Sequence, residues 1–152
     1  LGLAKLGLKL ITSRKKNLSK IEQTYQNKFL KPKVHTLLGK NLRKIANSCI
    51  DISDGLLGDL GHICDQSTLG AEIYLESVPF AGEYKEALTW GDDYELCFTV
   101  PESKVKKLIE VSKKIKVKIH KIGKITKKHG VRIYHQGKEI LIANQSYNHL
   151  SK

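Results

Sequence analysis

The residues most able to do chemistry lie within positions 49–58, where two carboxylates and a hydroxyl follow a short apolar run. Asp51, Ser53 and Asp54 are followed at once by Gly55. Carboxylate oxygens are ligands that Mg²⁺ prefers in proteins, and a helix N-terminus attracts phosphate. This spacing therefore indicates a site for a hard cation or a phosphate. The alternative is that Asp54 simply caps the helix that begins after it.

Asp51 is harder to explain as a cap, because it falls inside the apolar strand predicted for Ser48–Ile52. A carboxylate buried in such a strand is costly unless it is paired or bound to a cation. If the strand forms, Asp51, Ser53 and Asp54 can converge at the edge of a sheet. Oxygen ligands of this kind suit Mg²⁺, whose coordination is often completed by water and by substrate phosphates.

A second acidic group lies in the segment Trp90-Gly91-Asp92-Asp93-Tyr94-Glu95. Such a loop could bind a cationic part of a substrate or the waters around Mg²⁺, and the alternative is an ordinary Gly-Asp turn leading into a strand. His62 lies on the predicted helix and is interpreted as a structural histidine. The other histidines lack the spacing of metal ligands.

The composition predicts one globular domain, since 40% of the 152 residues are hydrophobic. The formal net charge of +12 favours anionic partners. Its lysines are spread over Lys5–Lys20 and Lys104–Lys128, which favours a solvated face over a nucleic-acid groove. No apolar run has the length of a membrane span. Three widely spaced cysteines indicate buried free thiols in a reducing cytoplasm.

Periodicity predicts helices first and then a mixture of strands and helices, which favours a mixed α/β fold, a mixed β-sheet covered by helices. The predicted helices lie within 1–12, 17–31, 34–45, 55–66, 83–88 and 101–111. The predicted strands are 48–52, 71–75, 95–100, 117–125, 131–135 and 139–142, the last two as a hairpin across Gln136-Gly137-Lys138.

The two acidic segments, taken together, resemble the C-terminal domain of the thiamine-monophosphate kinase family. The resemblance rests on residues 50–56 (Ile-Asp-Ile-Ser-Asp-Gly-Leu), 59–63 (Asp-Leu-Gly-His-Ile) and 91–101 (Gly-Asp-Asp-Tyr-Glu-Leu-Cys-Phe-Thr-Val-Pro), which occur in that order. This family belongs to a superfamily with aminoimidazole ribonucleotide synthetase and selenophosphate synthetase. The resemblance implies a cytoplasmic enzyme that transfers the γ-phosphoryl group of ATP to thiamine monophosphate, giving thiamine diphosphate and ADP.

The resemblance also implies roles for individual residues. Asp51 and Asp54 would be ligands of Mg²⁺, and Ser53 would contact an ATP phosphate. Asp92 matches the acid that contacts the substrate, which is often Glu in the family. Tyr147 matches an aromatic residue that packs on the substrate.

Two departures from the family pattern affect these expectations. Trp90 replaces the first of two glycines and could crowd the substrate loop. The chain has no Met, and residues 1–152 correspond to a single C-terminal domain, so we expect it to be part of a longer protein. The N-terminal domain, with most of the magnesium aspartates and the sheet that forms the homodimer, would lie outside it. Alone, the chain would then be inactive or nearly so.

The remaining alternatives are a basic nucleic-acid-binding module and a catalytically dead remnant.

Overall fold

Helices come first in the chain and strands follow, as the apolar spacing predicts, and the mixed α/β class is confirmed. The computed structural model describes residues 1–142. In that range the helices are α1 (Leu3–Thr12), α2 (Lys20–Leu30), α3 (Thr36–Leu42), α4 (Leu56–Ser67), α5 (Tyr84–Thr89) and α6 (Val105–Ile115). The strands are β1 (Ser48–Asp51), β2 (Gly70–Tyr74), β3 (Leu96–Thr99), β4 (Gly123–Thr126), β5 (Gly130–His135) and β6 (Lys138–Ile140). No helix in this part of the chain is both long and apolar enough to cross a bilayer.

The strands form two sheets. β1 and β3 make an antiparallel pair in which Asp51 lies opposite Leu96. The other sheet has the order β4-β2-β5-β6, with β2 and β5 parallel and the remaining pairs antiparallel. The strands on either side of α4, β1 and β2, therefore lie in different sheets. This corrects the expectation of a single mixed β-sheet: α4 connects two sheets, and the parallel partner of β2 is β5.

Helix α4 supplies much of the core between these sheets. Leu56, Leu57 and Leu60 are at most 3% exposed, and they belong to one buried cluster with Ile52 and Ile73. Removing a leucine side chain of this size from water stabilises the fold by about 1.5–3 kcal/mol. Because α4 contacts strands of both sheets, it fixes the positions of the loops that enter and leave it.

Residues 117–122 differ from the predicted strand, since only Gly123–Thr126 pairs as β4. Lys116 ends α6 in the left-handed conformation, with φ of 54°. The Ser112 hydroxyl then donates a hydrogen bond of 2.7 Å to the carbonyl of Val117. These local bonds take the chain away from the strand conformation. The strand begins at Gly123, where a Cβ would lie 2.0 Å from the carbonyl oxygen of Glu72 on β2.

The cysteines are all in the described part of the chain and none forms a disulfide, as the sequence predicts. Cys64 and Cys97 are buried. Burial raises the pKa of the Cys97 thiol to about 12, so this group stays protonated. Cys49 is exposed, which corrects the expectation that all three thiols are buried.

Helix α2 begins at a capping box, which explains its sharp start. The Ser19 hydroxyl accepts a hydrogen bond from the amide of Glu22, and the Glu22 carboxylate accepts one from the amide of Ser19 at 2.9 Å. Lys15 lies 2.7 Å from the same carboxylate. Lys15 first, and then the Ser19 amide, lower the pKa of Glu22 to about 2.

We therefore expect Glu22 to remain ionised at pH 3, with a titration midpoint near 2. Because the folded-state pKa is depressed, this group contributes stability above the ordinary glutamate pKa, and the contribution is lost as pH falls towards 2. Carboxyl carbon shifts in an NMR titration would measure the midpoint. Lys15→Ala should raise it, and a wild-type midpoint at the ordinary glutamate value would contradict this assignment.

Candidate functional site

Two loops meet beyond the end of the β1–β3 pair, and they carry the two acidic segments singled out in the sequence. The β1–α4 loop comprises residues 52–55, and the α5–β3 loop comprises residues 90–95. The amide of Ile52 donates to the carbonyl of Glu95, and the amide of Tyr94 donates to the carbonyl of Ile52, both at 2.8 Å. The amide of Asp92 donates to the carbonyl of Ser53 at 3.0 Å. These bonds continue the strand pairing into the loops and join them into one unit.

Two glycines allow this close approach. A Cβ on Gly91 would lie 1.7 Å from the carbonyl oxygen of Ser53. Gly55 has φ of +107°, and a Cβ there would lie 2.6 Å from the backbone of Thr89. A side chain at either position would push the loops apart, because real Cβ atoms do not approach backbone atoms this closely.

Three acidic side chains, Asp51, Asp54 and Asp92, act on the same tyrosine. The Tyr94 hydroxyl donates to Asp92 at 3.3 Å. The charge of Asp92 is the largest cause that raises the pKa of Tyr94, and the charges of Asp51 and Asp54 add to it. Asp92 and Tyr94 both adopt positive φ, 63° and 50°. The fold therefore brings together residues that are about forty positions apart in the sequence.

Asp51 is not buried, contrary to the expectation from its place in an apolar strand. It is exposed because successive side chains of β1 point to opposite faces of the β1–β3 pair, and its residues alternate between half-buried and exposed positions. Ser48 and Ile50 are half-buried, whereas Cys49 and Asp51 face solvent. Asp51 therefore needs no ligand to offset burial, and its candidacy rests on its position beside Asp54.

The capping alternative for Asp54 was also wrong. The N-cap of α4 is Gly55, so Asp54 precedes the capping position. Asp59 in the first turn instead reaches back to the loop, where its Oδ2 accepts bonds of 3.0 Å from the amides of both Ser53 and Asp54. Asp59 is 2% exposed. Burial raises the pKa of its carboxyl, the two amide bonds oppose that shift, and the charges of Asp54 and Asp51 add to it.

Asp59 was missed as a functional candidate, although its place in the sequence held a signal. It lies in the first turn of α4 beside Leu56 and Leu60, on the apolar face. An acid on such a face must find hydrogen bonds inside the protein. Periodicity alone does not show which groups it finds.

Asp54, Asp59 and His62 bring their possible metal-binding atoms within 4.8 Å of one another. His62 is exposed on α4. Together with Asp51, the carboxylates give an oxygen-rich donor set that fits Mg²⁺, which favours oxygen over imidazole nitrogen. These residues could therefore hold a hard divalent cation.

The remaining acids of the second loop have structural contacts. Asp93 is 1% exposed and accepts bonds from the amides of Gly2 at 2.7 Å and Ala4 at 3.5 Å, so it holds the start of α1. Glu95 lies 2.5 Å from the Lys28 ammonium and 2.8 Å from Nε2 of His35. Asp92 differs from them, because it accepts a hydrogen bond from the Tyr94 hydroxyl on its own loop.

Trp90 fits the loop without backbone strain. Its φ of −88° and ψ of 140° are extended values that any residue adopts, so this position does not require the glycine usual in the family. The Lys5 ammonium lies 4.3 Å from the centre of the indole ring, within the range of a cation–π contact. The ring therefore helps to attach α1 to the loop.

Ser53 lies in the joined loops with its backbone held on both sides, by Asp59 and by Asp92. Its side chain is half-buried. Tyr147, the predicted aromatic contact to the substrate, lies outside the described residues.

Comparison with known proteins gives a consistent set of similarities. Residues 5–136 match the family model described as AIR synthase related protein, C-terminal domain. The thiamine-monophosphate kinase of Buchnera aphidicola subsp. Schizaphis graminum is 39% identical over 98% of this chain and 50% of its own length. That of Haemophilus influenzae is 35% identical over 96% of this chain and 48% of its own length.

Solved structures give the same result. Thiamine-monophosphate kinase from Stenotrophomonas maltophilia K279a superposes with a TM-score of 0.81 and 30% identity, over 92% of this chain and 48% of that one. AaThiL complexed with AMPPCP and TMP gives a TM-score of 0.79 and 26% identity, over 97% of this chain and 48% of that one. The chain spans about half the length of the curated relatives it matches.

Gly91→Ala tests the contact between the two loops. The added methyl group would meet the carbonyl of Ser53, so we expect the free energy of unfolding to fall by roughly 1–3 kcal/mol in urea denaturation. Gly61→Ala is the matched control, because Gly61 lies in α4 with no atom within 4 Å of the added Cβ. That variant should gain up to about 1 kcal/mol from helix propensity. Equal stability of the two variants would rule out a tight contact between the loops.

Proposed function

This chain belongs to the family of AIR synthase related protein, C-terminal domain, and we propose that it acts in a thiamine-monophosphate kinase. The reaction transfers the γ-phosphoryl group of ATP to thiamine monophosphate. The bond from the γ-phosphorus to the bridging oxygen of ADP breaks, and a bond to a phosphate oxygen of thiamine monophosphate forms. The observation that carries this proposal is the main-chain junction that joins the Asp51–Gly55 segment to the loop of Asp92.

Asp51 and Asp54 are the proposed Mg²⁺ ligands. Bound Mg²⁺ would neutralise charge on the phosphate oxygens, and phosphoryl transfer depends on this and on positioning more than on covalent chemistry. Neighbouring carboxylates such as those of this site repel one another unless a cation lies between them. This repulsion is a reason for the exposed acids of the site to share a divalent ion.

Ser53 is the proposed contact to an ATP phosphate. The amides of Ser53 and Asp54 already donate to Asp59, so they are not free to bind phosphate as loop amides often do. The Ser53 hydroxyl is therefore the group of this residue left for the phosphate. Helix α4, whose N-terminus carries a partial positive charge, begins three residues later at Leu56.

Asp92 and Tyr147 are the proposed contacts to the substrate. A carboxylate can pair with the cationic thiazolium ring, and an aromatic ring can stack on it. Asp92 is half-buried in a backbone conformation that the loop junction fixes, which limits the entropy lost on binding.

The chain covers about half the length of its relatives, and the proposed partners are inferred from this. We infer that the other half of such an enzyme would add further carboxylates for Mg²⁺ and the sheet of a homodimer. We place the enzyme in the cytoplasm, where ATP is available and free thiols such as those here stay reduced.

A chimera tests this function. This chain would replace the matching half of the Schizaphis graminum relative, and formation of thiamine diphosphate from ATP and thiamine monophosphate would be followed by chromatography. We expect turnover in the chimera and a loss of at least about 100-fold in kcat/KM with Asp51→Asn, since charge stabilisation of transferring phosphate is worth several kcal/mol.

Asp65→Asn is the control for that loss, because Asp65 is an exposed acid on α4. It should keep the turnover of the parent chimera. A folded chimera that forms no thiamine diphosphate would contradict the proposed reaction. Turnover of Asp51→Asn equal to that of the parent at limiting Mg²⁺ would contradict the metal assignment.

Tyr147→Ala in the same chimera separates substrate binding from nucleotide binding. The KM for thiamine monophosphate should rise by about tenfold, consistent with the loss of one aromatic–cation contact. The KM for ATP should change little. Equal increases in both constants would remove Tyr147 from the substrate site.

A further inference from the structure

We propose that Asp59 is a positioning residue, whose buried carboxylate sets the backbone of the loop that carries the proposed cation and ATP ligands. The need for such a residue rests on the proposed function. The contacts through which Asp59 would act are those of the structure. Asp59 would touch neither substrate nor nucleotide. It would act through Ser53 and Asp54.

The first step is that one oxygen atom of Asp59 holds two successive amides. Oδ2 lies 3.0 Å from the nitrogen of Ser53 and 3.0 Å from that of Asp54. Two bonds from neighbouring peptides to a single acceptor restrict the dihedral angles of the residues between them. Bonds to a charged acceptor are also stronger than neutral ones. The directions in which the Ser53 and Asp54 side chains leave the loop are therefore set by Asp59.

The second step is that Asp59 itself is fixed. Its amide donates to the carbonyl of Gly55 at 3.0 Å within the first turn of α4. Its neighbours Leu56 and Leu60 are buried in the core. The carboxylate is thus held by a helix that is anchored in the core, and its two hydrogen bonds hold the loop in a fixed position relative to that helix.

The influence of Asp59 extends to the second loop, which carries Asp92. The carbonyl of Ser53, whose amide Asp59 binds, accepts the amide of Asp92 at 3.0 Å. Ser53 thus joins the loop of the proposed cation and ATP ligands to the loop of Asp92, the proposed contact to the substrate. Loosening Asp59 should therefore disturb both sides together, which the loss of a simple metal ligand would not do.

The competing role for Asp59 is direct coordination of the cation with Asp54 and His62, whose ligand atoms lie within 4.8 Å. The two roles predict different results for the asparagine variant. Asparagine keeps a carbonyl oxygen that can accept both amides, but it loses the negative charge that a cation ligand supplies. Alanine removes both the acceptor and the charge.

The experiment compares Asp59→Asn and Asp59→Ala in the 152-residue chain, with Asp65→Ala on the same helix as the matched control. Amide exchange of Ser53 and Asp54 would be measured by NMR, and Mn²⁺ binding by its electron paramagnetic resonance signal. We expect Asp59→Ala to speed exchange of these two amides by at least about tenfold and to weaken Mn²⁺ by about tenfold, the effect of losing a hydrogen bond to a charged group. Amides inside β1 and α4 should keep their protection.

Asp59→Asn should stay within about threefold of the wild type in both measurements, because the acceptor oxygen is retained. If Asp59 acted through its charge or as a metal ligand, asparagine would not restore amide exchange and Mn²⁺ binding. Unchanged exchange in Asp59→Ala would overturn the proposal. The proposal would also be overturned if Asp59→Asn were as defective as Asp59→Ala and His62→Gln lost Mn²⁺ binding to an equal extent. If the wild-type chain alone binds no Mn²⁺, the cation needs the carboxylates of the other half of the enzyme, and the exchange data still decide the positioning role.

Discussion

The site depends on the contact between the carbonyl of Ser53 and the backbone of Gly91 and Asp92. The two loops are so close that a Cβ on Gly91 would lie 1.7 Å from that oxygen. Main-chain bonds between Ile52 and residues 94–95 continue the β1–β3 pairing up to this point. Side chains that must act together are therefore placed by backbone geometry, which is more rigid than contacts between long side chains.

The acids of the two loops and of the first turn of α4 divide into two kinds according to burial. Asp59 and Asp93 are at most 2% exposed, and each accepts hydrogen bonds from two backbone amides. Asp51, Asp54 and Asp92 keep some exposure. Burial without compensating bonds would cost a carboxylate several kcal/mol, so buried acids need amides close by. The more exposed acids lie where a cation or a cationic substrate can reach them, and the buried ones keep the loops in place.

Local patterns predicted the elements well, because each depends on residues close in sequence. The start of α2 after Ser19, within the predicted range 17–31, and the tight turn at Gln136 and Gly137 are examples. The sequence also predicted that the two acidic segments act together. It did not predict the strand partners, because β1 could pair with either neighbour and the choice depends on packing across the molecule. The exposure of Asp51 also depends on packing, since the two faces of the β1–β3 pair differ in burial and Asp51 lies on the exposed one.

Asp59 shows why part of the site was not readable from the sequence. An aspartate in the first turn of a helix is a common favourable interaction with the helix dipole, so its type and position alone carry little information. Its role follows from burial, which depends on the two sheets that α4 contacts, and from the loop that folds back over it. The packing of α4 that closes the core is therefore also what turns an ordinary helical residue into the support of the loop. For that reason, stability of the core and geometry of the site are coupled through this one helix.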